Sequence, residues 1–101
     1  MLKSICLRQN CIRTLQNLDT LTSLCTLDLY DNLITEIKNL NKLQNLTHLD
    51  LSFNRISTIE NINDLVNLKK LYLVNNRVRK ICNLTPFVNL TLLELGSNKI
   101  K

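Results

Sequence analysis

Asparagine recurs along this chain at a fixed interval of 22 residues, and the leucines and isoleucines around it recur at the same interval. The segment from Leu27 to Leu46 has apolar residues at the same places as the segment from Leu49 to Leu68. Both follow the pattern L-x-L-x-x-N-x-I-x-x-I-x-x-L-x-x-L-x-x-L, with Ile62 in place of one leucine in the second. A period of about 20–50 residues is typical of stacked repeats, in which each unit buries its apolar side chains against its neighbours.

The length and pattern of this unit are those of leucine-rich repeats. The 101 residues are predicted to form one leucine-rich-repeat domain, with four complete repeats between two partial ones. The complete repeats are 5–26, 27–48, 49–70 and 71–92. The partial repeats are 1–4 and 93–101.

Two apolar spacings within each repeat predict an α/β fold. Leu27 and Leu29 alternate as in a β-strand, whereas the apolar spacing becomes three from Ile34 onward. A spacing of three fits a 3₁₀ turn, in which side chains three residues apart lie over one another. We therefore predict a right-handed solenoid with a parallel concave sheet and 3₁₀ or short helical turns on its convex side.

The repeated asparagine follows each predicted strand, where the chain turns outward. Backbone groups at this point would be buried by the neighbouring coils and would need partners, and an asparagine amide can donate and accept hydrogen bonds at once. We predict a buried structural ladder that joins adjacent repeats, in preference to a row of exposed turn residues. Its members are Asn10, Asn32, Asn54, Asn76 and Asn98.

Composition and motifs point to a protein that is not an enzyme. His48 is the one histidine and the chain has a single glycine, so neither a catalytic triad nor a phosphate-binding glycine loop is expected. The four cysteines lack zinc-site spacing, so we expect no metal, cofactor or small-molecule substrate. No apolar run is long enough to cross a membrane and the first residues do not resemble a secretory signal, which suggests a location in the nucleus or cytoplasm.

The outward side chains of the strands predict a protein-binding surface. They form columns 22 residues apart, and these carry four acidic groups against two basic ones in a chain of net charge +5. Exposed aromatic residues among acidic groups on a rigid sheet resemble the central residues of protein interfaces. The candidate partner-binding residues are Asp28, Tyr30, Asp50, Phe53, Tyr72 and Glu94.

Basic residues concentrate instead just after the asparagines. We interpret this stripe as a solvated edge and do not expect nucleic acid there, because it contains no aromatic residues on which bases could stack. An acidic partner or nucleic acid remains the alternative interpretation. The stripe comprises Arg13, Arg55, Arg77, Arg79, Lys80, Lys99 and Lys101.

Four strings give the chain a more specific resemblance, namely LDLYDN (27–32), LDLSFN (49–54), LKKLYLVNN (68–76) and LLELGSN (92–98). They resemble consecutive repeats of the family of regulatory subunit 7 of protein phosphatase 1. The resemblance implies a non-enzymatic regulatory scaffold that grips the phosphatase catalytic subunit with its concave face in nucleus and cytoplasm. It also implies that Asp50, Tyr72 and Glu94 contact the phosphatase, with Asp28 as a weaker extension.

Size separates this chain from that family, whose members have more repeats and a C-terminal cap. Leu2 continues an earlier repeat and Ile100 begins a further one, so we expect an N-terminal part or a short isoform. Two other functions remain open. One is an adaptor of a nucleoprotein complex that uses the basic edge, and the other is a truncated isoform that binds little.

Overall fold

The computed structural model describes residues 1–100 and contains one five-stranded parallel sheet. The strands lie side by side in sequence order, and each residue pairs with the residue 22 positions further on. Four connections join them, so the chain forms a parallel-strand solenoid of about four turns. The strands are β1 (Ser4–Cys6), β2 (Thr26–Asp28), β3 (His48–Asp50), β4 (Lys70–Tyr72) and β5 (Leu92–Glu94).

Aliphatic side chains of the repeat fill the inside of the coil. Every patterned leucine and isoleucine from Leu27 to Leu46, and from Leu49 to Leu68, is fully buried. Equivalent residues in the outer coils, such as Ile5 and Leu93, are only partly buried because a coil covers them on one side. Burial of aliphatic groups between neighbouring coils is therefore what holds the solenoid together.

The convex side differs from the prediction of 3₁₀ or short helical turns. None of residues 1–100 lies in a helix, and the predicted α/β class is therefore not confirmed. Hydrogen bonds do join residues three apart, from Leu43 to Leu40 at 3.0 Å and from Leu46 to Leu43 at 3.1 Å. Such bonds recur only at every third residue, whereas a 3₁₀ helix requires them from successive residues. The convex segment from Leu40 to Leu46 thus consists of two single turns.

The period of three and the absence of helix have the same cause. Each turn places one aliphatic side chain inward and leaves the two following residues outside, as Leu40, Leu43 and Leu46 show by their complete burial.

Within the described part of the chain, no helix is long and apolar enough to cross a membrane. The right-handed sense predicted for the coil rests on the general rule for parallel crossovers.

Candidate binding surface on the parallel sheet

The sheet is held in register by the asparagine that follows each strand. The Asn54 side-chain oxygen accepts the backbone N–H of Ile34 at 3.0 Å, one coil earlier. Its amide nitrogen donates to the carbonyls of Leu29 and Leu51, at 3.1 and 3.0 Å. Asn76 repeats this arrangement one coil later, accepting the N–H of Ile56 at 3.0 Å. Each amide therefore joins two coils and closes the turn after its own strand.

Burial of these asparagines is not uniform along the solenoid. Asn32, Asn54 and Asn76 are buried, and Asn98 is half-buried with the same set of bonds. Asn10 is exposed, and within residues 1–100 its side chain makes one hydrogen bond, to the Arg8 carbonyl at 2.9 Å. The prediction of a fully buried ladder is thus wrong for Asn10, because no earlier coil with backbone groups to join lies among the described residues.

Two further asparagine columns have the same 22-residue spacing, and the sequence reasoning missed them. Asn39 and Asn61 donate to the carbonyls of Leu15 and Ile37 in the preceding coil, at 2.7 and 2.8 Å. Asn45 and Asn67 also donate to carbonyls of the preceding coil, each at 2.9 Å. The spacing alone could have revealed both columns, since the four residues recur at the same interval as the leucines.

The residue just before each ladder asparagine adopts a left-handed backbone conformation. Phe53 has a φ of 58° and Asp31 a φ of 59°, and the equivalent residues of the other coils match them. This conformation is unfavourable for a bulky side chain. Phe53 is nevertheless there, and the residue is 39% exposed at the margin of the concave face.

The strands bring four of the six predicted binding residues into one outward column. Asp28 pairs with Asp50 across β2 and β3, Asp50 with Tyr72 across β3 and β4, and Tyr72 with Glu94 across β4 and β5. Neighbouring strands are about 4.8 Å apart, which places Asp50 and Glu94 about 10 Å from each other with Tyr72 between them. Tyr30 and Phe53 lie beside this column and not in it.

Asp28 differs from the other acidic residues because both of its carboxylate oxygens are occupied. One accepts the backbone N–H of Tyr30 at 3.1 Å, and the other pairs with the Arg8 guanidinium at 2.6 Å. The hydrogen bond to Asp28, followed by the charge of that carboxylate, raises the pKa of Arg8. Arg8 also lies over the Tyr30 ring at 5.0 Å. The negative charge of Asp28 is therefore largely compensated by Arg8 within the chain.

Asp50, Tyr72 and Glu94 remain open to a partner. Asp50 uses one oxygen to accept the Ser52 N–H at 2.9 Å. Within residues 1–100 its second oxygen, the Tyr72 hydroxyl and the Glu94 carboxylate make no hydrogen bond, and none of them joins an ion pair. A concavity of about 370 Å³ lies over Asp50 and Tyr72 and is also lined by Arg8 and His48.

Aromatic side chains extend this surface toward the edge of the sheet. The rings of Tyr30 and Phe53 lie 5.0 Å apart at an angle of 49°, a tilted contact between neighbouring coils. Together with Arg8, they form a continuous row in which Arg8 contacts Tyr30 and Tyr30 contacts Phe53. The surface thus has an acidic part around Asp50 and an aromatic margin.

No group of three or more His, Cys, Asp or Glu side chains that could hold a metal ion occurs in the described part of the chain. All four cysteines are free thiols. What the geometry offers is a rigid surface of acidic and aromatic groups, which suits the binding of another macromolecule.

A parallel solenoid with an open strand face belongs to the class of repeat proteins, which use such faces to bind partners. The family model described as leucine-rich repeats (2 copies) matches residues 22–65 and again residues 44–87. The chain therefore belongs to the leucine-rich repeat family. A comparison with curated proteins gives no match.

Two solved structures from Listeria monocytogenes have the same fold. One is an internalin (inlF) that is 32% identical, with a TM-score of 0.88 over 99% of this chain and 30% of the internalin. The other is an internalin C2 (inlC2) that is 29% identical, with a TM-score of 0.92 over 98% of this chain and 44% of the internalin. The chain thus spans less than half the length of either protein. Neither structure is a phosphatase subunit.

Proposed function

We propose that this chain is a non-catalytic scaffold that binds the catalytic subunit of protein phosphatase 1 through its concave face, in nucleus and cytoplasm. The leucine-rich repeat fold supports the protein-binding class. The resemblance of the strings at 27–32, 49–54, 68–76 and 92–98 to the regulatory subunit of this phosphatase supports the choice of partner.

The column of Asp50, Tyr72 and Glu94 is the observation that carries this proposal. These three side chains lie on adjacent strands, and each keeps polar atoms that make no hydrogen bond within residues 1–100. An aromatic ring between two carboxylates would suit a partner segment that carries lysine or arginine. Apolar packing of the ring would supply affinity, and the carboxylates would supply orientation.

Charge on the surface supports a basic partner segment. After Arg8 neutralises Asp28, three acidic residues remain on the strand face against the single base Lys70. They are Asp31, Asp50 and Glu94. Because the whole chain has a net charge of +5, this face is opposite in sign to the rest of the molecule. Such a distribution would orient a basic segment toward the concave side during encounter.

A titration of purified catalytic subunit against the chain tests the proposal. We expect binding that Tyr72→Ala weakens by at least tenfold, since truncating a central aromatic anchor costs about 2 kcal/mol or more. Val88→Ala is the matched control, because Val88 is 83% exposed on the convex side and should leave affinity unchanged. Thermal unfolding by circular dichroism checks that both variants fold.

Two results would contradict the proposal. Absence of measurable binding to the catalytic subunit would exclude the phosphatase as the partner. If the phosphatase bound Tyr72→Ala and the wild-type chain with equal affinity, the concave column would be excluded as the contact surface.

A further inference from the structure

The basic stripe after the asparagines contains a concavity that the proposed function does not use. Its volume is about 230 Å³ and it is lined by Ser57, Thr58, Arg79, Lys80 and Cys82. Arg79 and Lys80 belong to the stripe predicted from the sequence, whose last member, Lys101, lies outside the described residues. This concavity is on the outgoing edge of the coil, away from the strand column.

Coil register places a hydroxyl beside each of the two cations. Ser57 precedes Arg79 by 22 residues and Thr58 precedes Lys80 by 22, so each pair occupies the same place in adjacent coils. The backbone N–H of Arg77, two residues before Arg79, donates to the carbonyl of Ile56, one residue before Ser57, at 2.8 Å and holds these coils together. Adjacent coils are separated by about 5 Å, and the four side chains therefore surround one small space.

The chemistry of this cluster is that of a receptor for an oxyanion. Within residues 1–100, none of the Ser57, Thr58, Arg79 and Lys80 side chains makes a hydrogen bond or an ion pair, and no carboxylate lines the concavity. The sole ion pair of the described chain is that of Arg8 with Asp28. Two hydroxyls, a guanidinium and an ammonium together offer several donors, which suits a group with multiple acceptor oxygens and two negative charges.

We propose that this cluster binds the phosphoryl group of a phosphorylated serine or threonine in an acidic segment of a partner protein. Arg79 would bind two phosphoryl oxygens side by side, and Lys80 and the hydroxyls would bind the remaining oxygen. Arg55, Arg77 and Lys99 form an exposed column beside the concavity, which suits acidic residues flanking the phosphorylated one.

Nucleic acid fits this surface less well. Single strands depend on aromatic side chains that stack on successive bases. None lines this concavity, because Tyr30, Phe53 and Tyr72 lie on or beside the strand face and Phe87 is buried in the core. The hydroxyl and cation pairs also surround a single space, which matches one phosphoryl group.

Fluorescence anisotropy with a synthetic peptide tests the proposal. The probe is a labelled ten-residue peptide with one phosphoserine between glutamates, compared with the same peptide without phosphate. We expect the phosphorylated peptide to bind at least tenfold more tightly, because charge-assisted hydrogen bonds add to the attraction of the flanking acids.

Arg79→Ala and Arg13→Ala form a matched pair for this experiment. Arg13 occupies in its own coil the place that Arg79 occupies three coils later, and both are exposed. We expect Arg79→Ala to lower affinity for the phosphorylated peptide by about tenfold and Arg13→Ala to change it less than about twofold. Both variants should melt at the wild-type temperature.

Three outcomes would overturn the proposal. One is equal affinity for the two peptides, and another is an equal loss of affinity in the two arginine variants, since either would indicate a non-specific cationic edge. The third is tighter binding of a single-stranded RNA of equal charge, which would assign the edge to nucleic acid. None of these outcomes bears on phosphatase binding by the concave face.

Discussion

The side-chain oxygen of Asn76 accepts the backbone N–H of Ile56 at 3.0 Å, although 20 residues separate them in the chain. Both residues are buried, and the Asn76 amide nitrogen also donates to Leu51 of the preceding coil at 2.9 Å. One side chain therefore provides partners for backbone groups that no strand hydrogen bond reaches. Adjacent coils are joined in this way wherever both carry the asparagine.

Replacing Asn54 by alanine should lower the free energy of unfolding by about 1–3 kcal/mol. The change leaves the buried N–H of Ile34 without its acceptor. The carbonyls of Leu29 and Leu51 would still accept bonds from Asn32 and Asn76, so the N–H accounts for most of the loss. Urea denaturation followed by circular dichroism measures the difference.

Asn63→Ala is the control for this change. Asn63 is exposed and makes no side-chain hydrogen bond within residues 1–100, so its replacement should alter stability by less than about 0.5 kcal/mol. Asn75 is a poorer control because its φ of 56° would itself penalise alanine. Equal midpoints for the Asn54 and Asn63 variants would contradict a structural role for the ladder.

Asn61 combines a left-handed backbone with a hydrogen bond, and two substitutions should separate these contributions. Its φ is 59° and its amide donates to the Ile37 carbonyl at 2.8 Å. Both substitutions remove the hydrogen bond. Asn61→Gly also removes the β-carbon, which is unfavourable in the left-handed region, whereas Asn61→Ala keeps it and lacks the polar group with which asparagine tolerates that region. Alanine should therefore destabilise the chain by about 1 kcal/mol more than glycine.

Chemical denaturation of the two Asn61 variants beside the wild-type chain measures this difference. If alanine proved as stable as glycine, the backbone conformation at this turn would contribute nothing to the choice of asparagine.

Phe53 should lower the stability of the fold once its aromatic neighbour is absent. In a Tyr30→Ala background, Phe53→Asn should raise the free energy of unfolding by about 1 kcal/mol, because asparagine tolerates a φ of 58° better than phenylalanine does. In the wild-type background the lost ring contact, worth about 0.5–1.5 kcal/mol, should offset this gain. Denaturation midpoints of the four proteins give the coupling.

The measured coupling energy would show whether the Phe53 ring is there to stabilise the fold or to bind a partner. A value near zero would show that the 5.0 Å contact between the rings does not stabilise the fold. The strained phenylalanine would then require another explanation, and partner binding at the aromatic margin is the one that the exposed position supports.

The convex side shows where reasoning from the sequence stopped short. The spacing of three from Ile34 to Leu46 predicted correctly that these residues face inward, but not that the backbone from Leu40 to Leu46 forms separate turns. Side-chain spacing reports which residues are buried, and several backbone paths bury the same residues. The choice among those paths depends on how each coil packs against the next.

By itself, the 22-residue period determined the parallel register, the aliphatic core and the column that contains Asp50, Tyr72 and Glu94. It could do so because identical coils stack in only one register, so residues one period apart become neighbours. Only the tertiary structure decided that Arg8 neutralises Asp28, that Asn10 is exposed and that the convex side lacks helix among residues 1–100. These features depend on which neighbour each side chain meets in space. Where one coil differs from the next, a repeat pattern does not specify those neighbours.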